Sequence, residues 1–394
     1  VSGLRVRRLA ARRAERRRAR RRAAMVAAAS VVTVIGAVTG TISALDHGRG
    51  SDQARRPEVT GSPTPVPAVP SPPPSPPGTT RTPTAVPRHR LPTAVPTRTA
   101  GRKRQRTTVV TPLLYRHPDS QVIDWVRAHP GDPRTALIES RIADRPAAVW
   151  FADFSPDTIA ARVRTVTAGA AAEGRVPVLV PYVIADRDCG GASQGGAPDL
   201  AAYDAWIEAF ARGLGSGEVI VILEPDSIAQ SDCLSDADRA ARFASLARAG
   251  RTLKAANPRA RVYYDGGHSG WNPAAKQAAL LKEAGAASFD GVFSNVSNFR
   301  PTAEEIAYDR QVLDALGGPR SLGAVIDTSR NGNGAPPDGQ WCDPAGRRIG
   351  RAPTLDTGED RIDAYLWVKL PGESDGCKGA AGTFTPSYAY DLAR

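Results

Sequence analysis

The sequence predicts a parallel, barrel-like α/β domain over residues 112–394, and three observations carry that expectation. Seven short apolar runs alternate with amphipathic segments along this stretch. One run, Val219-Ile220-Val221-Ile222-Leu223, is uninterrupted and ends in Glu224-Pro225-Asp226. It reads as a buried strand delivering a carboxylate at its C-terminal end, where parallel α/β folds keep their chemistry. Three further aspartates, each close to glycine, follow other runs in the same way.

What precedes the domain is of a different kind. Residues 1–22 hold eleven arginines and one glutamate, and residues 23–45 hold no charge. The apolar stretch is about long enough to cross a bilayer of roughly 30 Å, with the arginines keeping the N-terminus cytoplasmic. A cleaved signal and a permanent membrane anchor both fit, the first favoured by the many small residues, the second by the long basic segment without an A-x-A site. Either places the rest of the chain outside the cytoplasm. Residues 46–111 are rich in Pro, Thr and Arg without apolar periodicity, and read as a disordered, extended linker.

The net charge of +12 resolves into +10 for residues 1–22, +8 for 46–111 and −6 for 112–394. The folded body is therefore acidic, which excludes a nucleic-acid role resting on it.

Within the body, the expected strands are Ala148–Ala152, Val176–Ile184, Val219–Leu223, Arg261–Asp265, Gly291–Ser294, Leu322–Asp327 and Ala364–Val368. The expected helices are Ile159–Glu173, Leu200–Leu214, Asp236–Ala256, Pro273–Ala284 and Ala303–Leu316. Thr328 to Ile362 is mostly Gly, Pro, Asn and Asp, and a loop of that length in a compact domain usually serves a site. Four cysteines without a C-x-x-C, and few histidines, argue against a zinc site. No metal or cofactor is expected. An even cysteine count behind an export segment suggests two disulfides, with three connectivities open.

Chemistry centres on Asp188, Asp226, Asp265 and Asp375, all where loops should follow strands. Hydrolysis of a glycosidic bond asks for such a set, one carboxyl protonated and another assisting water or forming a covalent bond. Trp150, Tyr182, Trp271, Trp341 and Trp367 fall at or near strand ends. Flat rings suit the apolar C–H faces of sugars; core packing competes for each, most strongly for Trp367. There is no G-x-S-x-G elbow for a serine nucleophile, and the glycine-rich Gly190–Gly196 lacks the Lys-Ser/Thr of a phosphate loop. Asp226 emerges as the candidate proton donor of a polysaccharide hydrolase.

Five motifs in order, Arg187-Asp188-Cys189-Gly190, Val221 to Asp226, Asp265-Gly266-Gly267-His268, Asp327 to Gly334 and Trp367 to Glu373, resemble glycoside hydrolase family 6 over about residues 113–394. The resemblance implies a distorted, incomplete (β/α) barrel of about seven parallel strands and hydrolysis of β-1,4-glucan with inversion. It makes Asp226 the general acid. Asp188 would hold up the acid's pKa and relay protons toward the hydrolytic water, Asp375 would be the proposed base, and Asp265 would support the acid. Trp150, Trp271, Trp341, Lys369 and Glu373 match sugar-binding residues, Tyr182 matches a tyrosine crowding the cleaved sugar, and His268 and Asn298 join the substrate-binding candidates. The resemblance also implies disulfides Cys189–Cys233 and Cys342–Cys377. The stretch Tyr182-Val183-Ile184-Ala185-Asp186 and Gln194 depart from the family pattern beside the loop expected to position water.

The resemblance implies that exo-acting members roof the cleft with long insertions; Asn295–Thr302 and Trp341–Asp363 are short by that standard, which implies an open cleft and internal cleavage: an endo-β-1,4-glucanase. Exo-acting cleavage, and a surface glucan-binding domain without catalysis, are the alternatives. A carbohydrate-binding module is not expected. The anticipated partners are a β-1,4-glucan and, if residues 23–45 are retained, the membrane. The body is expected to be monomeric.

Overall fold

The computed structural model describes residues 113–394 apart from Ala192. The basic segment 1–22, the apolar segment 23–45 and the linker 46–111 all lie outside the described residues. No helix among the described residues is long and apolar enough to cross a membrane.

Seven strands form one sheet: β1 Val149–Phe151, β2 Val178–Pro181, β3 Val219–Leu223, β4 Ala260–Asp265, β5 Gly291–Ser294, β6 Gly323–Asp327 and β7 Ile362–Leu366. Sheet order follows chain order and all six pairings are parallel. Helices fill the crossovers: α3 Ile159–Ala172, α4 Leu200–Ala211, α5 Asp236–Ala256, α6 Ala274–Glu283 and α7 Thr302–Leu316. Every expected strand and helix is present, with ends shifted by three residues or fewer.

The unbroken apolar runs arise because both faces of the sheet are covered. Along β3, Val219, Val221 and Leu223 pack with the helix layer. Ile220 and Ile222 point the other way, joining Val178, Val180, Tyr263, Phe293 and Leu366 in the barrel interior. Helix starts are written locally: the Asp199 carboxylate accepts the Ala202 N–H ahead of α4, and the Ser235 hydroxyl accepts the Asp238 N–H ahead of α5. Gly291 opens β5 at φ +145°, and a Cβ there would collide with the Gly323 carbonyl of β6.

The barrel does not close by a ladder between β1 and β7. Two hydrogen bonds span that seam, from the Ala148 N–H to the Trp367 carbonyl (2.9 Å) and from Trp150 Nε1 to the Val368 carbonyl (2.7 Å). Beside the seam lie α1 Gln121–Ala128, α2 Thr135–Ile138, a wide turn Glu139–Ala143 and α8 Pro386–Ala393. Val122, Ile123, Ile138, Ile142 and Ala389 of this cap pack in one cluster with Trp367. None of these helices was expected from the sequence; each has eight residues or fewer, too short for a clear period. Trp367 is 2% exposed and packs largely in this cluster, while also contributing to the wall of the cleft described below.

Candidate active site

The site is assembled from the C-terminal ends of the strands. Past Leu223 the chain makes a tight reversal in which Glu224 and Asp226 both take positive φ, 50° and 67°, on either side of Pro225. Such conformations cost energy for non-glycine residues and persist where surrounding contacts enforce them. Here Glu224 is fully buried and accepts the N–H groups of Val183 (3.1 Å) and Ile184 (2.9 Å), locking the end of β2 to the end of β3. Asp226 is thereby turned into the cleft. Its carboxyl is pushed up to about 8, first by burial, then by the negative charges of Asp265 and Asp188. The larger charge effect comes from Asp265 rather than from Asp188, the neighbour the sequence reading emphasised.

Asp265 closes β4 beneath the acid. Its carboxylate accepts the N–H groups of Ile228 (3.0 Å), Ala229 (2.8 Å) and Gly267 (3.0 Å), anchoring the loop that follows Asp226. Burial pushes Asp265 upward while these backbone donors pull it back.

Asp188 sits in a strained turn after β2, where Asp186, Asp188 and Cys189 all have positive φ. Its Oδ2 accepts the Ser193 N–H at 2.6 Å. Arg187 ties this turn to the barrel: its guanidinium donates to the carbonyls of Ser193 (2.7 Å), Ala152 (2.9 Å) and Tyr182, and lies 4.4 Å from the Tyr182 ring centre. The Cys189–Cys233 disulfide joins the turn to the loop after Asp226, Cα atoms 6.0 Å apart. The Trp150 and Tyr182 rings meet edge to face at 5.3 Å. Burial, with the charge of Asp226, raises the Tyr182 phenol, which therefore stays neutral.

Across the cleft Asp375 is held between two cations, Arg330 (2.6 Å) and Lys369 (3.2 Å). The Asp343 carboxylate underpins it by accepting the Asp375, Cys377 and Lys378 N–H groups and the Ser374 hydroxyl. Despite the upward push of burial, these donors keep Asp343 below its usual range. The Cys342–Cys377 disulfide, Cα atoms 5.8 Å apart, encloses this nest. Glu373 receives a hydrogen bond from the Gln121 amide (2.9 Å), and burial lifts its carboxyl to about 7 against the pull of Lys369.

His268 follows β4. Its Nδ1 accepts the Gly270 N–H at 3.1 Å, and burial, aided by Arg300, lowers its pKa to about 4. The neutral ring thus carries its proton on Nε2. Its neighbour Trp271 is 36% exposed and Trp341, on the long loop, is 58% exposed. Asn298 lies past β5, its N–H bonded to the Asn295 carbonyl at 2.9 Å. Among the described residues no group of three or more His, Cys, Asp or Glu side chains is placed to hold a metal ion.

Twelve candidate residues singled out in the sequence line one cleft of about 1730 Å³: Trp150, Tyr182, Asp188, Asp226, His268, Trp271, Asn298, Trp341, Trp367, Lys369, Glu373 and Asp375. Asp265 lies under it, holding backbone. Sequence reading assigned no role to the groups that organise these residues, Arg187, Glu224, Asp327, Arg330 and Asp343. Asp327 is the clearest case, because its carboxylate accepts N–H groups from Ser297, Ser329, Val368 and Lys369 and so gathers three loops. The available signal was a charge following directly on an apolar strand, the same one that exposed Asp226.

A cleft above parallel strand ends, with one carboxyl held toward its protonated form, further carboxyl groups around it and tryptophan faces open to solvent, defines a glycan-cleaving enzyme. The chain belongs to glycosyl hydrolases family 6, whose model matches residues 105–393. It is 50% identical over 289 residues to endoglucanase 1 of Streptomyces sp. (strain KSM-9), covering 73% of this chain and 80% of that protein. It is 48% identical over 282 residues to endoglucanase A of Thermobispora bispora, covering 71% of this chain and 61% of that one. Among solved structures, the endoglucanase Cel6 of Mycobacterium tuberculosis, bound to methyl-cellobiosyl-4-deoxy-4-thio-β-D-cellobioside, superposes with a TM-score of 0.67 at 40% identity, covering 72% of this chain and 97% of that one.

Proposed function

We propose that this glycoside hydrolase is an inverting endo-β-1,4-glucanase with Asp226 as general acid. The observation that carries the reading is the placement of Asp226 at the end of β3, turned into the cleft beside Asp265 and Asp188, where burial and those two charges push its carboxyl upward. At neutral pH such a group holds the proton that a departing glycosidic oxygen needs. Asp188, in its strained turn, is suited to pass a proton onward from the attacking water. Asp375, with its charge fixed by Arg330 and Lys369, would act as base or as electrostatic support for the positive sugar ring. Lys369, Glu373, Asn298 and the Nε2–H of His268 supply hydrogen bonds to hydroxyls. Trp150, Trp271 and Trp341 supply sugar platforms, and Tyr182 crowds the ring at the cleavage point.

Internal cleavage is favoured by the high identity to endoglucanases and by the exposure of Trp341 and Trp271. Two disulfides suit an oxidising compartment. We therefore place the catalytic domain outside the cytoplasm, joined by the linker 46–111 to an export or anchoring segment at 23–45.

The test follows viscosity and new reducing ends together on carboxymethyl-cellulose, for the wild-type protein beside Asp226→Ala. Viscosity collapsing ahead of reducing ends, in the wild type only, is the expected result. Reducing ends rising at nearly constant viscosity would make the enzyme exo-acting. Oligosaccharide binding without cleavage would make it a binding domain.

A further inference from the structure

Behind the site, on α7, lie two carboxyls that the proposed mechanism leaves unused. Glu305 and Asp309 are four residues apart, hence on one face of the helix, and both are 0% exposed. Glu305 Oε1 accepts the Ser269 N–H at 2.9 Å, and Asp309 Oδ2 accepts the Ser294 hydroxyl at 2.9 Å. Glu305 Oε2 and Asp309 Oδ1 are both buried with no hydrogen-bond partner among the described residues. Two ionised carboxylates in such a place would each lose solvation and repel the other. A proton on one oxygen removes a charge and supplies the donor that the free oxygens lack.

The other groups facing the pair do not replace that proton. Arg300, from the loop before α7, acts on Glu305 only at a distance, and its guanidinium lies where a Cβ on Gly270 would stand. The Tyr308 hydroxyl is spent on the Gly266 carbonyl (3.2 Å). His268 is neutral, and Asp265 is occupied with backbone donors. The Ser294 hydroxyl is bonded to Asp309, and the buried Ser269 hydroxyl, with no other partner among the described residues, acts on Glu305; no such donor reaches Asp309 Oδ1.

We propose that Glu305 and Asp309 form a buried carboxyl pair sharing one proton, which positions the His268–Trp271 loop through the Ser269 N–H and thereby sets how firmly the cleft grips sugar. These are positioning residues: neither lines the cleft, and both act through His268 and Trp271. The inference rests on the reading of those two as substrate-binding groups. Burial pushes both acids upward; the charge of Glu305 adds to the push on Asp309, while hydrogen bonds from Ser269 pull Glu305 back, in keeping with Asp309 being the one that stays neutral.

The experiment uses the full chain and compares Glu305→Met, Glu305→Asp, Glu305→Gln and Asp309→Asn with the wild type. Steady-state kinetics are measured on a cello-oligosaccharide, binding by quenching of tryptophan fluorescence, and carboxyl protonation by infrared difference spectra. E305M keeps the length but removes the acceptor, and is expected to raise KM and the oligosaccharide Kd together by roughly five- to thirtyfold, with kcat within about twofold. E305D withdraws the acceptor by one methylene, stays close to native in shape, and is expected to show a smaller rise of the same kind. E305Q retains an acceptor for Ser269 and offers a permanent donor to Asp309, so it is expected to restore wild-type KM. The wild type minus D309N infrared spectrum should contain a protonated-carboxyl band. Wild-type KM and Kd in E305D, E305Q as impaired as E305M, a loss confined to kcat, or no such band would each overturn the proposal. A wild-type chain that neither cuts nor binds the oligosaccharide would instead refute the glucanase reading beneath it.

Discussion

At Asp226 two unlike effects act in one direction: burial withholds water from the charged form, and Asp265 and Asp188 add their own field. Asp226→Asn should lower kcat by about 10²- to 10⁴-fold, the span of a lost general acid, with cellotetraose affinity within a few-fold of wild type by fluorescence titration. The raised pKa also sets a sign. Loss of activity on the alkaline side of kcat/KM reports ionisation of the acid, so Asp188→Asn, which removes a negative neighbour, should move that limb to lower pH. A limb that stays in place would mean that Asp188 acts on water and not on the acid. Because the folded state keeps a proton that the unfolded carboxyl has lost, Asp226 also destabilises the fold increasingly as pH rises from about 4 to about 8. Asp226→Asn should accordingly raise Tm more at pH 8 than at pH 4.

Between residues and the molecule stand the loops, and their order is enforced from below. Ser374, Asp375, Cys377 and Lys378 converge on the single carboxylate of Asp343, and the Cys342–Cys377 bond holds that carboxylate under them. Replacing both cysteines by serine should cost about 3–4 kcal/mol of stability by the loop-entropy estimate, read as a lowered denaturation midpoint. It should also lower activity disproportionately, since Asp375 loses its register with Arg330 and Lys369. Such supports show where sequence reading reaches its limit. The seven strands, and Asp188, Asp226, Asp265 and Asp375 at or past strand ends, were legible because a doubly covered strand must be apolar and a charge at its end must be turned outward. Asp343 sits in a loop with no period to betray it, and its four donors come from residues more than thirty positions away. Arg242 shows the same limit. It is buried on α5 and donates to the carbonyls of Ala185 and Asp186, steadying the stretch that leads into the Asp188 turn. The disulfide pairing, in contrast, came only through the family resemblance, because spacing left three connectivities open.

For the whole molecule, what matters is where aromatic surface is displayed. Leu113, Trp271 and Trp341 are the large apolar side chains exposed among the described residues, and both tryptophans line the cleft. A crystalline cellulose face offers no free chain to enter a groove and is best gripped by a flat external row of rings. The catalytic domain should therefore pull down weakly with crystalline cellulose while binding soluble oligosaccharides; tight retention on crystals would overturn this. The cleft itself is bounded by the seam between β1 and β7, spanned by two hydrogen bonds and packed by Trp367 beneath a helical cap. Trp367 thus links the seam, the cap cluster and, through its Nε1–H to the Arg351 carbonyl, the long loop that follows β6, so a single ring ties one wall of the cleft to three parts of the fold.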